Sequence, residues 1–186
     1  VIDSDKKIIK AFAGHREDAH YEGCAFVREL AGVSRAEADI AVTTNGGYPL
    51  DQNIYQAVKG MTAAEATVKE GGVIIIAAEC SDGHGGQVFF ETFDQASGPK
   101  EVMDGIIHKT RDETVADQWE SQILARILLR HPVIMVTGAP REMVEAMHMR
   151  YADSLEEAMD IAKSLVNKPD YQVTVIPDGV SVIVVP

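Results

Sequence analysis

The sequence predicts an α/β fold: a doubly wound, mostly parallel sheet with helices on both faces, forming a single domain over residues 1–186. Three observations predict it. Short β-like runs alternate with helical patterns along the whole chain. The run Val73-Ile74-Ile75-Ile76-Ala77-Ala78 is apolar at every position, as a strand covered on both faces is. The 186 residues are 46% hydrophobic and 25% charged, an ordinary composition for one domain of roughly 100–200 residues.

The elements follow in order. Ile8–Ala13 is a first candidate strand or the end of a connecting segment. His15–Leu30 reads as a helix with an apolar stripe of Ala19, Cys24, Phe26, Val27 and Leu30. Asp39–Thr44 is a strand. Leu50–Gly60 is a helix that Gly60 stops. Thr62 then caps a second helix, with Glu65 three residues on as in a capping box, and Gly71-Gly72 ends it. After the strand at Val73–Ala78 comes a helix through Phe93, then helices at Lys100–His108 and Asp117–Leu129. Val133–Val136 is a strand behind Pro132, Arg141–Met147 and Ser154–Val166 are helices, and Gln172–Ile176 is a strand. Val180–Val185 forms a terminal strand beyond the turn Pro177-Asp178-Gly179.

Composition excludes several classes of partner. A net charge of −12 argues against a phosphate-tracking nucleic-acid surface, which needs clustered Lys and Arg, and against adhesion to an anionic membrane. No apolar run is long enough for a transmembrane helix, and Val1–Lys10 is too charged for the apolar core of a signal peptide. The two cysteines, Cys24 and Cys80, lack CxxC spacing and zinc-like partners. Both are expected to be buried reduced thiols, which with the rest points to the cytoplasm. No metal site is expected.

In open α/β sheets, ligands sit beyond the carboxyl ends of the strands. Two polar loops leave strands there and open into helices: Thr43-Thr44-Asn45-Gly46-Gly47-Tyr48-Pro49 and Glu79-Cys80-Ser81-Asp82-Gly83-His84-Gly85-Gly86. A helix N-terminus favours an anion, so Asn45, Gly46, Gly47, Asp82 and His84 are candidate loop contacts. The same glycines also serve a bland purpose, the positive φ of tight turns. Neither loop matches GxGxxG or Walker A. His84 is open to three roles: general base, metal ligand or loop stabiliser. His15 and His20 are five apart and do not share a helix face.

Gln56 and Lys59 lie three apart, on one helix face, and Ile54, Val58 and Met61 fall on another side. Taken alone, the pair reads as a solvated surface. Trp119, the one tryptophan, reads as a core or interface residue.

The stretch TTNGGYPLDQNIYQAVKGMTAAEATVKEGGVIIIAAECSDGHGG, with AFAGHREDAHYEGC before it and DQWESQILARIL after it, resembles the C-terminal domain of the nickel-dependent lactate racemase family. That resemblance implies an isomerase interconverting 2-hydroxy-acid stereoisomers through a nickel-pincer nucleotide (Ni pyridinium-3,5-bisthiocarboxylic acid mononucleotide), which accepts and returns a hydride. It implies that the acid-base histidines, the cofactor lysine and the nickel-bound histidine belong to an N-terminal domain outside this chain. The C-terminal domain closes the cleft, with Gln56, Lys59 and Trp119 matching its binding residues and Tyr55 beside them. Partners are then the protein's own N-terminal domain and a small 2-hydroxy acid. This chain alone would be inactive and would anchor no cofactor. The alternative is a stand-alone α/β module that holds a small anion in its Gly-rich loops without catalysis.

Overall fold

The computed structural model describes residues 1–3 and 5–185. In chain order the elements are α1 (Arg16–Ala31), β1 (Gly32–Ser34), β2 (Ala38–Thr44), α2 (Ile54–Thr67), β3 (Val68–Ala77), α3 (Gln87–Asp94), α4 (Pro99–Ile107), α5 (Gln118–Arg130), β4 (Val133–Val136), α6 (Arg141–Ala146), β5 (Arg150–Ala152), α7 (Leu155–Val166), β6 (Val173–Ile176) and β7 (Ile183–Val185). The chain groups into two compact units, Ala36–Val180 and Val1–Arg35 with Ser181–Pro186.

The larger unit is the expected layered sheet. Its five strands are all parallel, in the order β5-β4-β3-β2-β6. Alternation along β3 builds two cores. Ile74 and Ile76 join Ile54, Val58, Met61, Phe89, Leu124, Ile127 and Val144 beneath α2, α3, α5 and α6. Val73 and Ile75 join Ile40, Ile134, Ala158 and Ala162 beneath α7. The period of two in a strand sends neighbouring residues to opposite faces, and helices on both faces make a continuous apolar run the stable choice.

At the amino end of the sheet, Asp39 is buried and fastens three elements. Its carboxylate accepts from Lys168, Lys69 and the Gln172 backbone N–H. The Lys168 hydrogen bond comes first among the causes holding its pKa far below the usual carboxylate range, and burial opposes it.

In the smaller unit, β1 and β7 pair in parallel from Gly32↔Ile183 to Ser34↔Val185. Ile8–Ala13 is the connecting segment of the two readings, with an isolated bridge from Ile2 to Ile8 and no strand. The expected apolar stripe of α1 buries no residue: Leu30 is 58% exposed. Cys24 is likewise exposed, its Sγ 3.5 Å from His20 Nε2, which corrects its assignment as a buried thiol. Cys80 is buried as expected.

Three boundaries change for physical reasons. Leu50–Asn53 are not helical because their backbone is committed elsewhere: Leu50 N–H to Gly47 O, and Asp51 and Gln52 carbonyls to the N–H groups of Cys80 and Asp82. Asn53 is the true cap, its Oδ1 accepting from the Gln56 N–H at 2.9 Å. Nor does Gly60 stop the helix. α2 runs through it to Thr67, and Thr62 donates its hydroxyl to Lys59 O instead of capping anything. Gly71-Gly72 lie inside β3, in an irregularity opposite Ala38–Ile40.

Candidate functional site

The strand order reverses at β2: β3, β4 and β5 lie to one side of it and β6 to the other. That switch point is where open α/β sheets leave a crevice, and here the chain fills it. Gly179 N–H donates to Thr44 O at 2.9 Å, the Thr44 hydroxyl donates to Pro177 O, and Asn45 bridges Asp178. Gly46, at φ 72, lies where an added Cβ would come within 2.8 Å of the Asp178 carboxylate, so only glycine fits both the dihedral and the space.

The two Gly-rich loops interlock. Gly83 O and His84 O accept from the N–H groups of Ile54 and Tyr55, and Asn53 Oδ1 takes that of Gln56. The N–H groups of the first three residues of α2 are thus satisfied inside the chain, and this helix N-terminus offers them to no anion. Asp82 takes part through its backbone, donating to Gln52 O. His84 stabilises the loop: its ring stacks on Phe90 at 4.9 Å, and Nδ1 accepts from Gly86 N–H. Asn45 is structural too, being 1% exposed with Nδ2 donating to Leu50 O and Gln56 O, both at 2.6 Å. Gly47 alone of these five lines a cleft of about 610 Å³, beside Thr44, Asp51, Glu79, Thr137 and Asp153. That cleft is acidic and contains none of Tyr55, Gln56, Lys59 and Trp119.

Those four residues come together elsewhere, where α2 meets α5. Lys59 Nζ donates to Gln56 Oε1 at 2.7 Å and sits 5.4 Å from the centre of the Tyr55 ring, a cation–π contact. Tyr55 packs edge-on against Trp119 at 6.0 Å and donates its hydroxyl to Asp117 at 3.1 Å. Burial, then Asp117, push the Tyr55 hydroxyl up to about 12, so it stays protonated and a donor. Tyr55, Gln56 and Lys59 are half-buried, and Trp119 is 49% exposed, which rules out a core role within this chain. The face is braced from below: Arg126 of α5 makes two bonds to the Glu65 carboxylate of α2, at 2.9 and 2.6 Å.

Sequence reasoning missed Glu120, the residue after Trp119. It is fully buried, and neither carboxylate oxygen has a hydrogen-bond partner among the described residues. Burial, partly offset by Lys59, pushes its pKa up to about 7. The sequence WESQ carries no sign of this, since a Glu in the first turn of a helix is ordinarily a solvated dipole partner.

This face has one ammonium, one amide, one phenol and an exposed indole. Such a set can hold the oxygens of a small anion against an aromatic wall. It does not fit a metal: among the described residues no group of three or more His, Cys, Asp or Glu is placed to hold one. The donors suit the anionic groups of a substrate or a cofactor.

The fold and this face together define a doubly wound α/β domain with a half-buried Lys–Gln pair on an aromatic surface. Residues 33–184 match the lactate racemase C-terminal domain family, and the chain belongs to that family. Over 185 residues it is 60% identical to a lactate racemase of Thermoanaerobacterium thermosaccharolyticum and 54% identical to one of Lactiplantibacillus plantarum. Each match takes in 99% of this chain and 43% of the relative, so the chain spans less than half the length of these proteins. The solved lactate racemase apoprotein from Thermoanaerobacterium thermosaccharolyticum superposes with a TM-score of 0.92, covering 100% of this chain and 44% of that one. A Thermotoga maritima protein, 15% identical with a TM-score of 0.53 over 86% of this chain, shares the fold.

Proposed function

We propose that this chain is the substrate-facing C-terminal domain of an enzyme that racemises lactate or a related 2-hydroxy acid. The observation that carries the reading is the Lys59–Gln56 pair, held at 2.7 Å on a half-buried face between Tyr55 and Trp119. Lys59 holds the substrate carboxylate as a compact cation with three donors. Gln56 orients that ammonium and leaves its amide N–H₂ for a substrate or cofactor oxygen. Trp119 walls the face, and closure of the rest of the protein over Trp119, Leu50 and Tyr48, all exposed here, excludes water and strengthens the polar contacts. When bound to the whole protein, a nickel-pincer nucleotide supplies hydride exchange at the substrate's Cα. This chain's part is to bind and orient the acid, and Lys59 and Gln56 also suit the nucleotide's anionic groups. The free thiols Cys24 and Cys80 accord with a reducing cytoplasm.

The test is Lys59→Ala in the full-length, cofactor-loaded protein, followed by the rate of L- to D-lactate conversion. Loss of an oriented charge contact should lower kcat/KM by roughly 10²-fold or more. A rate equal to wild type would remove Lys59 from the site.

A further inference from the structure

Glu120 sits at the third helical position of α5, where a carboxylate commonly reaches back to its own helix cap. Here Asp117, the cap residue, has φ 57 and no side-chain cap bond, and Glu120 lies inside, 0% exposed and without a hydrogen-bond partner among the described residues. Two charges act on it: Lys59, across the α2–α5 contact, favours its ionised form, and Asp117 opposes it. Asp117 is itself engaged by the Tyr55 hydroxyl. Helices α3 and α4, which also pack on α5, bring apolar side chains such as Phe89, Phe93, Val102 and Ile106 to the shared core. A leucine would fill a similar volume without the desolvation penalty, and a glutamine would avoid that of a buried charge, so a purely structural role does not account for a carboxyl group here.

We propose that Glu120 is a positioning residue for Lys59, its internal counter-charge in the empty site, and that binding of a substrate carboxylate at Lys59 is coupled to uptake of one proton by Glu120. The inference rests on the reading of Lys59 as the carboxylate site. The step balances. A Lys59 ammonium and a Glu120 carboxylate, plus the incoming carboxylate and one proton from solvent, give a Lys59 ammonium paired with the substrate carboxylate and a neutral Glu120. Without the proton, one cation would face two carboxylates in a poorly hydrated space, and like charges so placed disfavour joint ionisation. With its pKa pushed up to about 7 before substrate arrives, Glu120 is poised to take the proton near neutral pH.

The test is calorimetric titration of the full-length, cofactor-loaded protein with racemic lactate at pH 7, in buffers of different ionisation enthalpy. Uptake of about half a proton per lactate is expected, with affinity falling up to about tenfold per pH unit above 7. Glu120→Gln should abolish the uptake and flatten the affinity between pH 6 and 8.5. Lys59→Ala should weaken binding at every pH. In the wild type, the carboxyl signal of ¹³C-labelled Glu120 should titrate near neutrality and shift to higher pKa on adding lactate, a readout that needs no variant. Lactate binding that depends on Lys59 but takes up no proton, or takes up the same amount in Glu120→Gln, overturns this inference and leaves the proposed function standing. Lactate binding unaffected by Lys59→Ala overturns both.

Discussion

Substituting Gly60 by alanine separates two opposite expectations. Helix propensity alone favours the variant by about 1 kcal/mol, since glycine in a helix interior is that much worse than alanine. Packing says the reverse. A Cβ at Gly60 would overlap Asn45 Oδ1 and approach Thr44 O to 2.9 Å. Thr44 O is backbone in β2 and cannot swing away, so Asn45 must. Asn45 is 1% exposed and donates to Leu50 O and Gln56 O, and moving it breaks both bonds. Two part-buried hydrogen bonds at about 1 kcal/mol each and about 2 kcal/mol of overpacking outweigh the propensity gain. The net loss is about 3 kcal/mol. With a urea slope of about 2 kcal/mol per molar, the unfolding midpoint should fall by about 1.5 M. In an Asn45→Ala background the added methyl should cost at least about 1 kcal/mol less, a coupling expected only for touching residues. A Gly60→Ala protein as stable as wild type, or more so, would refute the close-packing account.

Asp39→Asn should destabilise the chain by about 2 kcal/mol through lost charged hydrogen bonds. Its lysine partners are 33% and 55% exposed, so they recover hydration and the loss stays below that of a fully buried pair. Because the folded-state pKa of Asp39 is depressed, its contribution is fully present above the unfolded value near 4 and is lost as pH falls below it. Urea midpoints between pH 5 and 2.5 should fall less steeply in the variant, and parallel slopes would count against the linkage. Native thiol labelling with an uncharged alkylating reagent should modify Cys24 alone. Cys80 is 1% exposed with its thiol pushed up to about 11 by burial, so it should react only on unfolding; prompt labelling of both would contradict its burial.

The sheet was legible because β2, β3 and β4 are dense in β-branched residues and β3 is apolar through Val73–Ile76. The three-residue strands β1 and β5 were not, since three residues hold no period. Gly60 was misread because composition cannot distinguish a glycine needed for its dihedral from one needed for its lack of a side chain; only the nearness of Asn45 and Thr44 decides. Spacing put Gln56 and Lys59 on one face. That this face meets Trp119 and Glu120 depends on how α2 packs on α5 and on the Glu65–Arg126 pair, a contact across 61 positions that no local pattern encodes. The same limit hid Glu120, whose burial is a property of two helices and not of its own.

The closed N-terminus of α2 explains why the candidate ligand groups are side chains one turn into the helix. Many α/β domains bind anions with the backbone N–H groups of a glycine-rich loop and the helix behind it. Here the second Gly-rich loop lends its carbonyls to that helix, through Gly83 and His84, and the switch-point crevice is filled by Pro177-Asp178-Gly179. The backbone route to an anion at α2 is closed by the chain itself, which under the proposed function leaves recognition to Lys59 and Gln56. A lysine reaches farther than a backbone N–H and can be drawn back or extended, and in the proposed coupling Glu120 supplies a charge against which such motion can be balanced. A rigid loop amide could not be tuned in that way, so under the proposed coupling the interlocked loops fix the helix and the buried carboxylate governs the one cation it presents.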